Sequence, residues 1–234
     1  AADKAGVKLF IAETVRFVPS FVRVKELIEE GAIGKVFMFK AHSSHSGPHS
    51  LHFLDPEMAG GGVLIDLAIH YVDLFRWYTN KEVERVYAEM GTFQKDTELE
   101  DNGMMFLRYK GGIGNITASW TTKGEISARV EVFGTEGSIF SSGHGYTFSP
   151  TRVFSEKGYG YVAEKTELSR GWTFPVHSKI EQLPYTEETK HFVECILEDK
   201  KPLVDGEEGK KDLEVVLAAY ESVRKEKPVK LLHR

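Results

Sequence analysis

Residues 103–121 read GMMFLRYKGGIGNITASWT. Two runs of strand-forming residues flank Lys110, Gly111 and Gly112, the pattern of two antiparallel strands joined by a tight turn. Apolar side chains fall on both alternations: Met105, Leu107 and Tyr109 on one, Met104 and Phe106 on the other, with Ile116, Ala118 and Trp120 in the second strand. One set is expected to face helices. The other would leave a patch broader than soluble monomers usually tolerate, so the pattern predicts a homo-oligomer, most simply a two-fold dimer through the open sheet face.

Strand texture extends outward from this hairpin. Residues 83–93 precede it, 128–133 and 138–141 form a second hairpin across 134–137, and 146–154 and 161–168 are expected to continue the sheet. Helical periodicity marks residues 19–30, opened by Pro19 and stopped by Gly31, and residues 187–198 and 207–226. Residues 35–42 read as a strand, 63–78 as a buried helix and 228–232 as an extended end. This order predicts an α+β fold with an open, mostly antiparallel sheet and helices packed on one face.

Composition narrows the function. The 234 residues carry a net charge of -5, which argues against nucleic acid as a partner. The one cysteine, Cys195, excludes a disulfide within the chain or a cysteine-based zinc site, and its place on an amphipathic helix predicts a buried, inert thiol. No apolar run approaches 18 residues, so no membrane span is expected. The first residues lack the basic and apolar blocks of a signal peptide, which makes a cytoplasmic location the default. GxGxxG, Walker A and GxSxG motifs are absent.

The helix at 63–78 carries the chemistry. It is apolar nearly all round, with Asp66, His70, Asp73 and Arg76 as exceptions. On an α-helix the first three lie within a stripe of about 60°, and Asp66 and His70 are i,i+4 neighbours. A carboxylate beside an imidazole can orient the ring and raise its proton affinity, which suits general acid–base work. A solvated stripe, or a histidine satisfied in the core, is the competing reading. Gly60, Gly61 and Gly62 ahead of the helix would let a ligand approach its N-terminus.

His42, His45, His49 and His52 form a second cluster in the loop that follows the first strand. A polar substrate-binding loop, chiefly His45 and His49, a metal site and a plain surface loop remain open readings. Trp172, in GWTFP, is a core anchor or a lid over substrate. Residues 1–5 read as the end of a helix closed by Gly6, and 7–12 (VKLFIA) as a strand buried on both faces. Such a strand needs neighbours on both sides: either a short helix leads into an edge strand, or residues 1–13 are the remnant of a preceding domain, with 14–234 forming the substrate-binding and oligomerisation domain.

The pattern Gly61-Gly62-x-x-x-Asp66-x-x-x-His70-x-x-Asp73 resembles the glucose–fructose oxidoreductase / inositol dehydrogenase / MocA family. VRFVPSF (15–21), ELIEEGAIGKV (26–36), EVFGTEGSI (131–139), HFVECI (191–196) and PLVDGEEGKKDLEVVLAAYES (202–222) resemble the same family in the same order. The resemblance implies a C-terminal domain following a Rossmann domain. That preceding domain would carry the Gly-rich turn and a catalytic lysine in a Glu-Lys-Pro motif, neither of which is in this sequence. It implies NAD or NADP as cofactor and a sugar or polyol as small-molecule substrate. It places the family's catalytic pair on Asp66 and His70, with Asp66 orienting His70, and the chain by itself is expected to be inactive. Arg16 becomes a candidate for contacting cofactor or a substrate acid, with a surface salt bridge as the competing reading, and His45, His49 and Trp172 candidates for binding substrate. Two rivals are a metal-dependent hydrolase or isomerase built on the 42–52 loop, and a non-catalytic oligomerisation module.

Overall fold

The hairpin around Lys110 forms where the sequence places it. The computed structural model describes residues 1–123, 126–143, 151–160, 170–173 and 184–232. Within them the sheet contains β1 (Val36–Ser44), β2 (Val83–Gly91), β3 (Asn102–Tyr109), β4 (Gly112–Ser119), β5 (Ser127–Gly134), β6 (Gly137–Ser142), β7 (Arg152–Ser155), β8 (Gly171–Thr173) and β9 (Val229–Lys230). Their order is β8-β7-β6-β5-β1-β4-β3-β2-β9. β1 and β4 are parallel and the other neighbouring pairs antiparallel. The expected strands at 146–150 and 161–168 lie outside the described residues.

Side-chain alternation splits the sheet into two unlike faces. Met105, Leu107 and Tyr109 are buried, whereas Met104 and Phe106 are 53% and 51% exposed. Phe39, Ala41, Ile116, Val130, Val132 and Ile139 continue the buried face. α1 (Ala2–Ala5) and α3 (Pro56–Ala59) are single turns. Against the buried face pack α2 (Pro19–Glu29), α4 (Ile69–Thr79) and α6 (Gly206–Lys225), under β6, under β1 and β4, and under β2 respectively. Phe75 of α4 sits edge-on to Phe39 and Tyr109, and the Tyr78 hydroxyl donates to the Phe21 carbonyl at 2.9 Å. α5 (Pro184–Leu197) lies outside this layer, against the 3₁₀ turn Thr14–Phe17.

Three expectations need correction. The segment 63–78 is not one uniform α-helix: Leu64–Ala68 is π-helical and α4 follows it. A π turn changes the angular step along the helix, so the i,i+4 geometry assumed for Asp66 and His70 does not hold across it. With the short helix Pro56–Ala59, this stretch is long and apolar enough to cross a membrane, contrary to the sequence reading. Its apolar side chains are instead spent on the core, where Val63, Leu64, Ala68, Val72, Leu74 and Phe75 are all fully buried. Residues 7–12 form no strand: Phe10 makes a single bridge to Asp205, and Ile11 N–H donates to the Val204 carbonyl at 3.1 Å. Among the described residues they run beside the entry to α6 and not beside a strand. The helical turn Ala2–Ala5 closed by a left-handed Gly6 is present as expected.

The start of the central helix is fixed by a carboxylate from the loop before β3. Glu100, 7% exposed, accepts from Gly62 N–H at 3.1 Å, Leu64 N–H at 3.0 Å and the Tyr220 hydroxyl at 2.6 Å. A Cβ at Gly62 would lie 2.1 Å from the Glu100 carbonyl oxygen, so the glycine serves this close approach. The helix N-terminus is therefore occupied by protein rather than open to a ligand. Glu100→Gln turns an amide donor toward backbone donors. It should cost about 1–3 kcal/mol, seen as a lower urea midpoint at unchanged m.

Candidate active site

The parallel pairing of β1 with β4 brings their carboxyl ends out together, Ser44 opposite Ser119. His45 N–H donates to the Ser119 carbonyl at 3.1 Å. The next residue, Trp120, is fully buried, and its indole N–H donates to Asp66 Oδ2 at 2.7 Å. One end of the sheet thus gathers the histidine loop, Trp120 and the π turn that holds Asp66. Tyr71 bonds Ser43 of β1, tying the first turn of α4 to the same place.

His70 follows one turn later. Its Nδ1 lies 2.6 Å from Glu13 Oε2, and since a carboxylate only accepts, Nδ1–H is the donor. The ring is 32% exposed while Glu13 is 4% exposed. Nε2, on the other side of the ring, has no hydrogen-bond partner among the described residues. Burial disfavours the charged ring, but Glu13 first, then Asp66 and Asp73, outweigh it and raise the proton affinity of His70 above its usual 6.5. The carboxylate that orients His70 is therefore Glu13, and Asp66 contributes charge from a distance while bonded to Trp120.

Arg16 is not available to a cofactor or a substrate acid. Its Nε and Nη2 donate to Asp73 Oδ2 and Oδ1, both at 2.6 Å, with Arg16 6% and Asp73 0% exposed. The guanidinium also stacks on Trp77. One turn further, Arg76 donates to Glu82, Glu208 and Asp212 at 2.7–2.8 Å. Burial and nearby Asp73 push the Asp212 carboxyl up to about 8, against the pull of Arg76.

The remaining candidates separate. His45 and His49 stack with centroids 4.8 Å apart, and His45 Nδ1 accepts from Gly47 N–H. His42 bonds Thr117 and Ser44, and His52 bonds Ser50. Among the described residues no group of three or more His, Cys, Asp or Glu is arranged to hold a metal, so the metal-dependent alternative finds no ligand set there. Trp172 is neither a core anchor nor near His70: it is 54% exposed and packs on Phe140 and Phe154. Its register opposite Phe154, one residue from buried Val153, puts it on the open sheet face, away from α4. Cys195 is buried, with His191 3.5 Å from its sulfur. Glu13 and Trp120 escaped the sequence reading; a lone acid ending the apolar run 7–12, three residues before Arg16, is the one signal for the first.

A nicotinamide dinucleotide needs open backbone N–H groups for its pyrophosphate. Among the described residues the start of the central helix is filled by Glu100, and that of α6 by the Asp205 side chain, which accepts from Glu207 and Glu208 N–H at 3.0 Å. These residues do not form a pyrophosphate cradle. What they offer is an imidazole with one nitrogen committed and one open.

Residues 21–140 match the GFO/IDH/MocA C-terminal domain model. The chain belongs to this family. It is 31% identical to the myo-inositol 2-dehydrogenase of Thermotoga maritima over 97% of its own length and 66% of that protein. Against the scyllo-inositol 2-dehydrogenase (NAD(+)) of Bacillus subtilis the identity is 28%, over 97% of this chain and 64% of that protein. The crystal structure of GenD2 from gentamicin A biosynthesis, in complex with NAD, superposes with a TM-score of 0.81 at 27% identity, covering 99% of this chain and 66% of that one. The chain thus spans just under two thirds of the relatives it matches.

The raised proton affinity of His70 has a consequence for stability. A histidine whose folded value lies above 6.5 stabilises the fold fully below 6.5, and that contribution is lost as pH rises through the folded value. Asp212 gives a trend of the same sign, so the informative quantity is a difference between proteins. The unfolding free energy of the parent minus that of His70→Asn should shrink as pH rises above 6.5, measured by urea titration across the range.

Proposed function

We propose that this chain is the substrate-binding and proton-transfer part of an oxidoreductase that uses NAD or NADP and acts on a hydroxyl of a sugar or polyol. The observation that carries this reading is the open Nε2 of His70, on a ring whose Nδ1–H is held by Glu13. A ring so held can take a hydroxyl proton at Nε2 as the alcohol becomes a ketone, and return it in the reverse direction. Hydride chemistry would be supplied by the nicotinamide, for whose pyrophosphate the helix starts described above form no cradle. Asp66, fixed by Trp120, adds a carboxylate near the same end of the sheet, where His45 and His49 can bond to substrate hydroxyls. The two inositol dehydrogenases among the relatives support this substrate class. In the complete enzyme, His70→Ala should lower kcat by ~10²–10⁴-fold and leave nicotinamide affinity unchanged. An unaltered kcat would remove His70 from the reaction.

The open sheet face supports a second copy of this chain as partner. Met104, Phe106, Ile113 and Trp172 are exposed on it. A groove of about 470 Å³ on the same face is lined by Met38, Lys40, Arg85, Tyr87, Phe106 and Asn115 among others. Arg85 and Arg108 share the face with Glu89 and Glu131, so it carries charges of both signs around its apolar side chains. Phe106→Glu should halve the mass seen by light scattering at micromolar concentration. A parent chain that is already monomeric would exclude the dimer.

A further inference from the structure

Glu13 and Arg16 meet His70 and Asp73 in step. Glu13 bonds His70 and Arg16 bonds Asp73, and each pair is separated by 57 residues. The three-residue spacing of the turn matches the three-residue spacing along α4. The turn is closed by its own backbone, Arg16 N–H donating to the Glu13 carbonyl at 3.0 Å, and anchored by a two-point ion pair that is nearly fully buried. A carboxylate on such a turn has little freedom, and neither has the ring it holds.

We propose that Glu13 is a positioning residue for His70: its carboxylate selects the ring tautomer with hydrogen on Nδ1 and fixes the plane in which Nε2 meets the substrate hydroxyl. This rests on the proton-transfer role given to His70 above. A neutral imidazole carries one N–H; Glu13 can only accept, so the hydrogen sits on Nδ1 and the lone pair on Nε2. When a substrate hydroxyl gives up its proton, the O–H bond breaks and an N–H bond forms at Nε2. The imidazolium that results lies 2.6 Å from the Glu13 carboxyl group. The other charged groups facing the ring are Asp66 and Asp73 on its own helical segment, Glu188 on α5, held by the Thr14 hydroxyl at 3.1 Å, and Arg16 behind Asp73. Arg16 is consumed by Asp73, and Asp66 by Trp120, so Glu13 is the group in direct contact with the ring.

Glu13→Gln keeps the size and one accepting oxygen but removes the charge, and Glu13→Asp keeps the charge on a shorter arm. Nitrogen-15 NMR of the imidazoles in this chain reads tautomer and titration without turnover. The parent should show His70 with hydrogen on Nδ1. In Glu13→Gln its titration should fall by about one pH unit or more, and Glu13→Asp should recover part of that shift. In the complete enzyme the same substitution should move the lower limb of the kcat/KM profile to lower pH. It should also cut kcat on the order of 10-fold or more with KM little changed. An unchanged tautomer and titration in Glu13→Gln, with His70→Ala still crippling turnover, overturns the role of Glu13 and leaves that of His70 standing. A normal kcat in His70→Ala overturns the proton-transfer reading, whatever the NMR shows. If Glu13→Gln fails to fold, the Glu13→Asp titration decides: a value equal to the parent's, with the contact lengthened, counts against the proposal.

Discussion

A helix that is apolar on nearly every side has to do something with its charges. Here His70, Asp73 and Arg76 recur every three residues along α4, and each is met by an opposite charge from another part of the chain: Glu13, Arg16, and the acids Glu82, Glu208 and Asp212. An ion removed from water without a partner costs several kcal/mol, and deleting one member of a buried pair typically costs about 3–5 kcal/mol. The stripe therefore dictates where the 3₁₀ turn, the start of β2 and the N-terminal half of α6 must lie. The same requirement brings Glu13 to His70, so that the group which keeps the fold neutral also prepares the imidazole.

The sheet positions the site by a different constraint. Most neighbouring strands are antiparallel, and an antiparallel neighbour carries the chain back to the opposite edge. The parallel register of β1 on β4 makes two strands end together, at Ser44 and Ser119, and the segments that leave these two strands emerge at the same place. Trp120 then reaches Asp66, and the loop with His45 and His49 begins beside it. Glu100 closes this arrangement from the loop before β3, by taking the N–H groups that open the central helix. Among the described residues the helix-covered face of the sheet is thereby consumed by packing, and the opposite face is left to Met104, Phe106 and Trp172.

The family resemblance and the geometry diverge around His70. The resemblance pairs Asp66 with His70 as one unit. In this chain the two side chains bond elsewhere, Asp66 to an indole and His70 to Glu13. A carboxylate that keeps its charge but not its contact acts on the ring by field alone, a weaker and more screened effect than a direct hydrogen bond.

The sequence by itself determined the elements that depend on local periodicity. The hairpins at 103–119 and 128–141 and the helices begun at Pro19 and Gly206 arise from alternation, turn residues and caps, which act over a few neighbours. Alternation also divides Met105, Leu107 and Tyr109 from Met104 and Phe106, but packing decided which set is buried. That His70, a polar side chain on an apolar helix, must be paired or used was legible too, with both outcomes left open. Which partner it takes was decided by the tertiary structure. Glu13 and His70 are 57 residues apart, and no local pattern encodes an ion pair closed by a turn packing on a distant helix. The same holds for Arg16, read as a cofactor or substrate contact or a surface salt bridge and found in a buried pair with Asp73; for Gly62, read as a ligand approach and found against Glu100; and for residues 7–12, whose apolar run fits a strand but makes a single bridge among the described residues. Periodicity fixes which face of an element is apolar, whereas the pairing of buried charges depends on distances that exist only once the chain has closed.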